Sequence, residues 1–525
     1  MKINIIPNKM RINNFVVLVA LFAVFGCKAQ KESVWDNYVN ASKKGQEAIL
    51  PNFSFAGYKY SEQPIPRVNY PVFNVVDFGA IPNDNLSDKD ALNKAIKAAS
   101  KKGKGIIYFP NGRYMINTGN DDESSIKVQS SHIVFRGESQ ANTILFFDKD
   151  LSPADPEKLW TVPAAIKVSV DEKSKVLANV TGNVTRETHS IEVDNSSAIK
   201  KGDWVILQVE NNSKDLVAYD VQPLIPDPEW TALLNDGVQV NERHKVESVI
   251  GNTITFVEPI HYDVTAKHKW KIKSFPHLNH VGFEEITFEG NWTKDFVHHR
   301  SAQDDGGWTI LSISNVVDSW AKDCTFKNVN APLSFSGAAA STALNITISG
   351  KIGHSSVHAA GGSTGILIAK VNDMAGMHHA VGVAGGSSSA NVIWRCKFPA
   401  HTCFESHASQ PRCTLFDKVE GGFFAGRGGG ARFNLPNHGR YLVLWNYKEI
   451  DEAEEDFRFV AIDSWYWRIV PPIIVGFHGS GTTFKEDEVQ ILESLGAPVK
   501  PESLFEEQLK LRLGHLPEWV LKEKK

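Results

Sequence analysis

Small-residue turns recur along the middle of this chain at almost constant spacing, and that period constrains the fold more than any other feature. Ala339-Ala-Ser-Thr342, Gly361-Gly-Ser-Thr364 and Gly385-Gly-Ser-Ser388 stand 22 and 24 residues apart, and a weaker copy, Ala408-Ser-Gln-Pro411, follows after about 23. A short apolar strand trails each turn: Leu344-Asn-Ile-Thr-Ile348, Gly365-Ile-Leu-Ile368, Asn391-Val-Ile-Trp394 and Thr414-Leu-Phe416. A unit of this length cannot bury its apolar face alone, so it must stack on its neighbours as one coil of a solenoid. The 525 residues therefore predict one long repetitive domain instead of several compact ones. Thirty-nine Gly against five Met agrees, since it means many tight turns and little long helix.

Upstream, Phe73-Asn-Val-Val-Asp-Phe-Gly-Ala80 precedes Asp84, Asp88, Asp90 and the run Ala91 to Ser100. Ala91, Leu92, Ala95, Ile96 and Ala99 form one helical stripe, with Asp88 or Ser87 as its N-cap. Gly105-Ile-Ile-Tyr-Phe-Pro-Asn-Gly-Arg-Tyr114 reads as a buried strand, a turn and a second strand. Over residues 72–118 this order resembles the pectate-lyase-like right-handed parallel β-helix superfamily, which opens with a capping helix of this pattern. The resemblance implies an all-β fold, a right-handed parallel β-helix. It is nearly silent on chemistry, because lyases, hydrolases, epimerases and phage tailspikes share it.

The rest of the chain divides around that frame. Residues 28–70 read as an extended lead-in, and 71–159 as the cap and first coils. Ser190-Ile-Glu-Val193, Gly202 to Gln208 and Asn252 to Val257 alternate as half-exposed strands, so 160–275 reads as a small β insertion lining one end of a groove. Residues 276–475 are the main coils. Residues 476–525 are a C-terminal cap, with a short amphipathic helix between Pro501 and Val520 closing the end.

Lys2, Lys9 and Arg11 precede an apolar run from Phe15 to Phe25 that is too short to span a bilayer, so residues 1–27 read as an export signal. The run ends in Val24-Phe25-Gly26-Cys27, similar to a bacterial lipobox with Cys27 as the lipidated residue. Cleavage near Ala29, giving a soluble secreted form, is the alternative. The expected location is the periplasm, an outer-membrane lipid anchor or the cell exterior, and the expected state is a monomer. Fifty-six basic against 60 acidic residues leave no positive excess for nucleic acid. Cys324, Cys396, Cys403 and Cys413 lack the spacing of a zinc site and are too sparse for a disulfide framework, so they read as small interior residues.

The candidate chemistry lies on the coils. Nine residues ahead of Ser363, Ser387 and Gln410 stand His354, His378 and His401. Strand alternation, with Val357, Val381, Val383 and Phe404 inward, independently turns those three outward and His379 inward. His358, Glu405 and His407 fall on the same outer face. Coils stack about 4.8 Å apart, so the outer two of three stacked histidines lie about 10 Å apart, beyond the reach of one zinc. No cofactor is expected, although an adjacent pair with Glu405 leaves a metal open. Downstream, Phe424 to Arg432 places Arg427 and Arg432 on a glycine-rich turn, where a polymer can approach the backbone and a guanidinium can pair with carboxylate or sulfate. His438 follows, and Trp465 and Trp467 are candidates for stacking on sugar faces.

These groups suit an anionic polysaccharide. Elimination from a uronate needs a base for the C5 proton, an acid for the departing C4 oxygen, and positive charge at the carboxylate. Histidine and arginine supply all three roles without calcium, and the outer face from 354 to 407 has almost no Asp. A glycoside hydrolase needs paired carboxylates. Against the β-helix polygalacturonases, Asp304-Asp305, Gly353-His354-Ser355 and Arg395-Cys-Lys397 match in part, but one Asp motif is missing and the spacing is two coils instead of one. The coils, His438 to Asn446 and Pro501 to Arg512 look similar to β-helix proteins of marine polysaccharide-degrading bacteria, above all the ulvan lyases. That resemblance implies an endo-acting lyase on sulfated rhamnose–uronate chains. The expected catalytic set is His378, His401, His407 and Arg427, with His407 or His401 as base and Arg427 at the carboxylate. The expected binding set is His354, His358, Glu405, Arg432, His438, Trp465 and Trp467. A β-helix hydrolase and a non-catalytic glycan-binding adhesin are the alternatives.

Overall fold

Apolar strands of successive coils lie side by side in two parallel sheets in the computed structural model, which describes residues 32–424, 429–461 and 467–525. Cys27, Arg427 and Trp465 lie outside those residues. One sheet has 15 strands and runs from Val72–Asn74 to Ile491–Glu493. The other has seven, from Ile126–Val128 to Glu405–His407. The chain is thus a right-handed parallel β-helix. Ala343, Ile368, Ile393, Phe416, Leu444 and Ile474 align across six coils and point into the solenoid core.

One residue earlier, Leu367, Val392, Leu415, Val443 and Ile473 form an outward column that is equally apolar and equally buried. A strand buried on both faces reads as an unbroken apolar run, which is why Leu-Val-Leu-Trp445 shows no alternation. Both ends of the chain cover that face. The lead-in is not simply extended: Val34–Lys44 is a helix, capped by Ser33 and ended by Gly45 at φ +62°. It shares an apolar cluster with helices Leu504–Leu513 and Glu518–Glu523. Phe53 N donates to Gln508 Oε1 (2.9 Å), and Arg512 Nη2 donates to the carbonyls of Ser54 (2.9 Å) and Tyr60 (2.8 Å). The C-terminal helices therefore flank the coils and do not plug their end. The far end does carry a capping helix, Lys89–Lys102, with Ala91, Leu92, Ala95, Ile96 and Ala99 buried. Asp88 stands at its N-cap, but its carboxylate accepts from Ile81 N and Met115 N, not from the helix.

The insertion begins later than residue 160, because Ile166–Val168 is a rung of the seven-stranded sheet. Its six antiparallel strands span residues 176–274 around Val205, Leu207, Ile254 and Trp270. It docks on the recurring turns. The Arg243 guanidinium donates to Gly362 O, and a Cβ at Gly362 or Gly337 would approach it to 3.0 or 2.9 Å, so glycine at these turns makes room for the insertion's arginine. Arg412 and Asp220 form a buried ion pair across the same boundary at 3.2 Å. The four cysteines are buried free thiols.

Candidate active site

With one flank covered by the termini and the turns covered by the insertion, the seven-stranded sheet keeps an exposed outer face. Its outward register runs Ser312, Ser334, His358, Gly382, Glu405. Two residues on, Ala384 aligns with His407. Small residues one coil below Glu405 and His407 leave a hollow that these two side chains border. The result is an open groove of about 300 Å³ lined by His354, His358, His379, Glu405 and His407, with Asp305 and Trp160 on its other wall. Trp160 is 73% exposed there.

At the floor, His379 Nδ1 lies 2.8 Å from Glu405 Oε2, and both side chains are buried. The carboxylate accepts the Nδ1 proton, which orients the ring and leaves Nε2 as the nitrogen that does not face Glu405. The ring of His407 stands 5.5 Å from that of His379. Gly429 N donates to Glu405 Oε1 (3.2 Å), and a Cβ on Gly429 would fall 1.9 Å from His407 Cδ2. Any larger residue there would push the His407 ring aside.

The opposite wall comes from the segment 291–301 and the short helix Ala302–Gly306. Asp304 accepts from Val297 N and pairs with Arg300 (2.6 Å), which ties the segment down. Asp305 accepts from His299 N (3.0 Å) and holds its Nδ1 at 2.7 Å. This brings His298 over the coils: its ring stacks on His378 at 4.2 Å and lies 5.4 Å from His354 and 5.3 Å from His379. Burial and neighbouring imidazoles hold His354 far below the ordinary histidine value, and burial holds His358 at about 4. Both are neutral at neutral pH.

Several expected positions differ. His379 faces the groove, since its strand starts only at Gly382 and period-two alternation does not extend back to it; a single bridge joins it to Ser355. His378 is stacked on His298 (4.2 Å), with the tilted ring of Phe296 at 5.5 Å, and does not line the groove. His401 is exposed and leans on Gly376, where a Cβ would lie 2.3 Å from its Nε2, so it is not in the groove. Arg432 is ion-paired with Asp227 (3.3 Å) and Glu229 of the insertion. His438 is fully buried against Thr414 Oγ1 (2.9 Å) and Gly439 O (2.8 Å), and Trp467 is fully buried beside Phe404, so neither meets a substrate. Asp305, His379 and Trp160 are groove residues that spacing did not place there, and His298 and His299 stand beside them. The doublets His298-His299 and Asp304-Asp305, seven residues or fewer apart, were the available signal.

Residues 72–213 match the family model described as rhamnogalacturonase A/epimerase, pectate lyase-like, and residues 376–523 match a domain of unknown function, DUF4955. A 73-residue stretch is 33% identical to alginate lyase 7 of Azotobacter vinelandii, covering 14% of this chain and 8% of that protein. Mannuronan C5-epimerase AlgE3 of the same organism is 32% identical over 73 residues, covering 14% of this chain and 4% of its own. The chain therefore spans less than a tenth of the length of these two curated relatives. Among solved structures, tailspike gp49 of Pseudomonas phage LKA1 superposes with TM-score 0.44 at 14% identity, over 78% of this chain and 71% of that one. The family 28 exopolygalacturonase of Yersinia enterocolitica gives 0.34 at 10%, over 81% and 68%.

Proposed function

We propose that this chain is a polysaccharide lyase that cleaves a uronate-containing, sulfated polysaccharide of the ulvan type by β-elimination. The observation that carries the reading is the groove floor: an imidazole oriented by a buried carboxylate, His379 with Glu405, beside a second imidazole, His407, under an exposed tryptophan rim. Match to a pectate-lyase-like family model and local identity to an alginate lyase support a polysaccharide substrate.

In this reading His407 takes the C5 proton of the bound uronate. The C5–H electron pair forms the C4=C5 double bond, the C4–O bond breaks, and the departing oxygen is protonated by a groove imidazole or by water. Imidazole suits this exchange, because its ordinary pKa lies near neutral pH. Trp160 offers a flat apolar face to a sugar ring. The two groove carboxylates, Asp305 and Glu405, each hold an imidazole, which favours elimination over the paired-carboxylate chemistry of a hydrolase. Incubation with ulvan, alginate and pectate while following the ultraviolet absorbance of the unsaturated uronate tests the proposal. Absorbance growth on a uronate polymer is expected. Reducing ends released without it would establish hydrolysis, and polymer retention without cleavage would establish an adhesin.

A further inference from the structure

We infer that His298, His354 and His379 form a binding site for a transition-metal dication of the zinc type. Their ligating nitrogens lie within 4.8 Å of one another. A tetrahedral ion with bonds of about 2.0–2.1 Å sets its ligand nitrogens about 3.3 Å apart, so the three rings need to close by about 1.5 Å at most. His354 and His379 are fixed on consecutive coils, where His379 N donates to His354 O at 2.9 Å. His298 lies between strand Thr287–Gly290 and helix Ala302–Gly306, in neither, and supplies the movement.

Two independent features point to a cation. The Nε2 of His354 is buried with no hydrogen-bond partner, and an orphaned buried polar nitrogen is costly unless something takes it up. His379 has its Nδ1 proton on Glu405, the carboxylate–histidine arrangement that orients a metal ligand and raises its basicity. Neutral imidazoles suit zinc and its neighbours, whereas calcium takes oxygen ligands. The ligating atoms of His299, Asp305 and His354 also lie within 4.8 Å of one another, but there His299 and Asp305 already satisfy each other at 2.7 Å.

Three protein ligands leave a fourth position, on the side of the groove that His354 and His379 line. No Lys or Arg is among the described residues lining that groove. If the lyase reading holds, a uronate carboxylate occupies the fourth position and the dication supplies the positive charge that elimination needs.

The test is cobalt binding to the full chain after chelator treatment, followed by the visible absorption of tetrahedral Co(II) and by calorimetric displacement with Zn²⁺. One ion per chain is expected. His298→Ala and His354→Ala should each abolish uptake, His299→Ala and His401→Ala should retain it, and Glu405→Gln should weaken it about 10–100-fold. His298→Ala alters only a residue outside the regular elements, so it remains informative where His354→Ala fails to fold. No uptake by the wild type, or uptake that survives His298→Ala, overturns the site. Ultraviolet elimination assays on the same samples separate the two readings. Elimination without metal uptake removes the site and leaves the lyase, and uptake without elimination on any uronate polymer removes the lyase and leaves the site.

Discussion

His379 Nδ1 and Glu405 Oε2 meet at 2.8 Å across adjacent coils, joined by parallel pairing that sets Gly382 opposite Glu405. A side chain at Gly382 would collide with the Glu405 backbone, its Cβ lying 2.0 Å from Glu405 O, so the contact depends on a bare backbone one coil below. Glu405→Gln keeps the volume and loses the charge. Turnover should fall about 10–100-fold with little change in KM. His407→Ala, which removes the proposed base, should cost about 100–10,000-fold in kcat. Steady-state kinetics by the ultraviolet assay check both.

Gly429→Ala is the steric test of the same pocket. The added methyl would fall 1.9 Å from His407 Cδ2, and the ring must swing away to admit it. Activity should drop about as far as in His407→Ala, while thermal unfolding stays close to wild type.

Trp160→Ala should raise KM about 2–10-fold and leave kcat nearly unchanged, because an exposed ring on the groove wall contributes binding and no proton transfer. A change confined to kcat would remove Trp160 from the sugar-binding surface.

His401→Ala and Arg432→Ala should both retain near-wild-type turnover. His401 leans on Gly376 away from the groove, and Arg432 is held by Asp227 and Glu229. The arginine's ion pairs are partly exposed, so their loss should cost only about 0–1 kcal/mol in urea unfolding.

His438 gives the chain a defined acid sensitivity. Burial, then the nearby Arg412 charge, hold its folded pKa at about 4 against an ordinary 6.5. Below pH 6.5 the unfolded chain takes up a proton that the folded imidazole refuses, so stability intact above 6.5 is lost as pH falls toward 4. The contribution reaches at most ~3 kcal/mol. The stability difference between wild type and His438→Gln should therefore shrink on acidification, measured by urea unfolding across that window. A constant difference would remove His438 as the cause.

The coil period, the helical stripe from Ala91 to Ala99 and the interior cysteines were legible because stacking imposes them locally, on residues a few positions apart. The groove was legible only in part. Glu405 and His407 lie within a real strand, where period two holds, whereas His379 precedes its strand and escapes the rule. His298 and His299 reach the site from a segment without periodicity, carried there by Asp304 and Asp305. Arg432 and Trp467 read as surface chemistry because their partners, Asp227 and Phe404, are distant in sequence, and His438 because Thr414 lies a full coil away.

A stack of coils in which each touches only its neighbours can unravel from either end, one rung at a time. Here the ends are clasped. Arg512 binds the carbonyls of Ser54 and Tyr60, and Phe53 binds Gln508, contacts that bridge about 450 residues of chain. Fraying the last coils strips cover from the lead-in as well, so the two chain ends lose their independence. The lead-in and the C-terminal helices thereby stand or fall together with the coils they cover, a coupling that a stack with only nearest-neighbour contacts lacks.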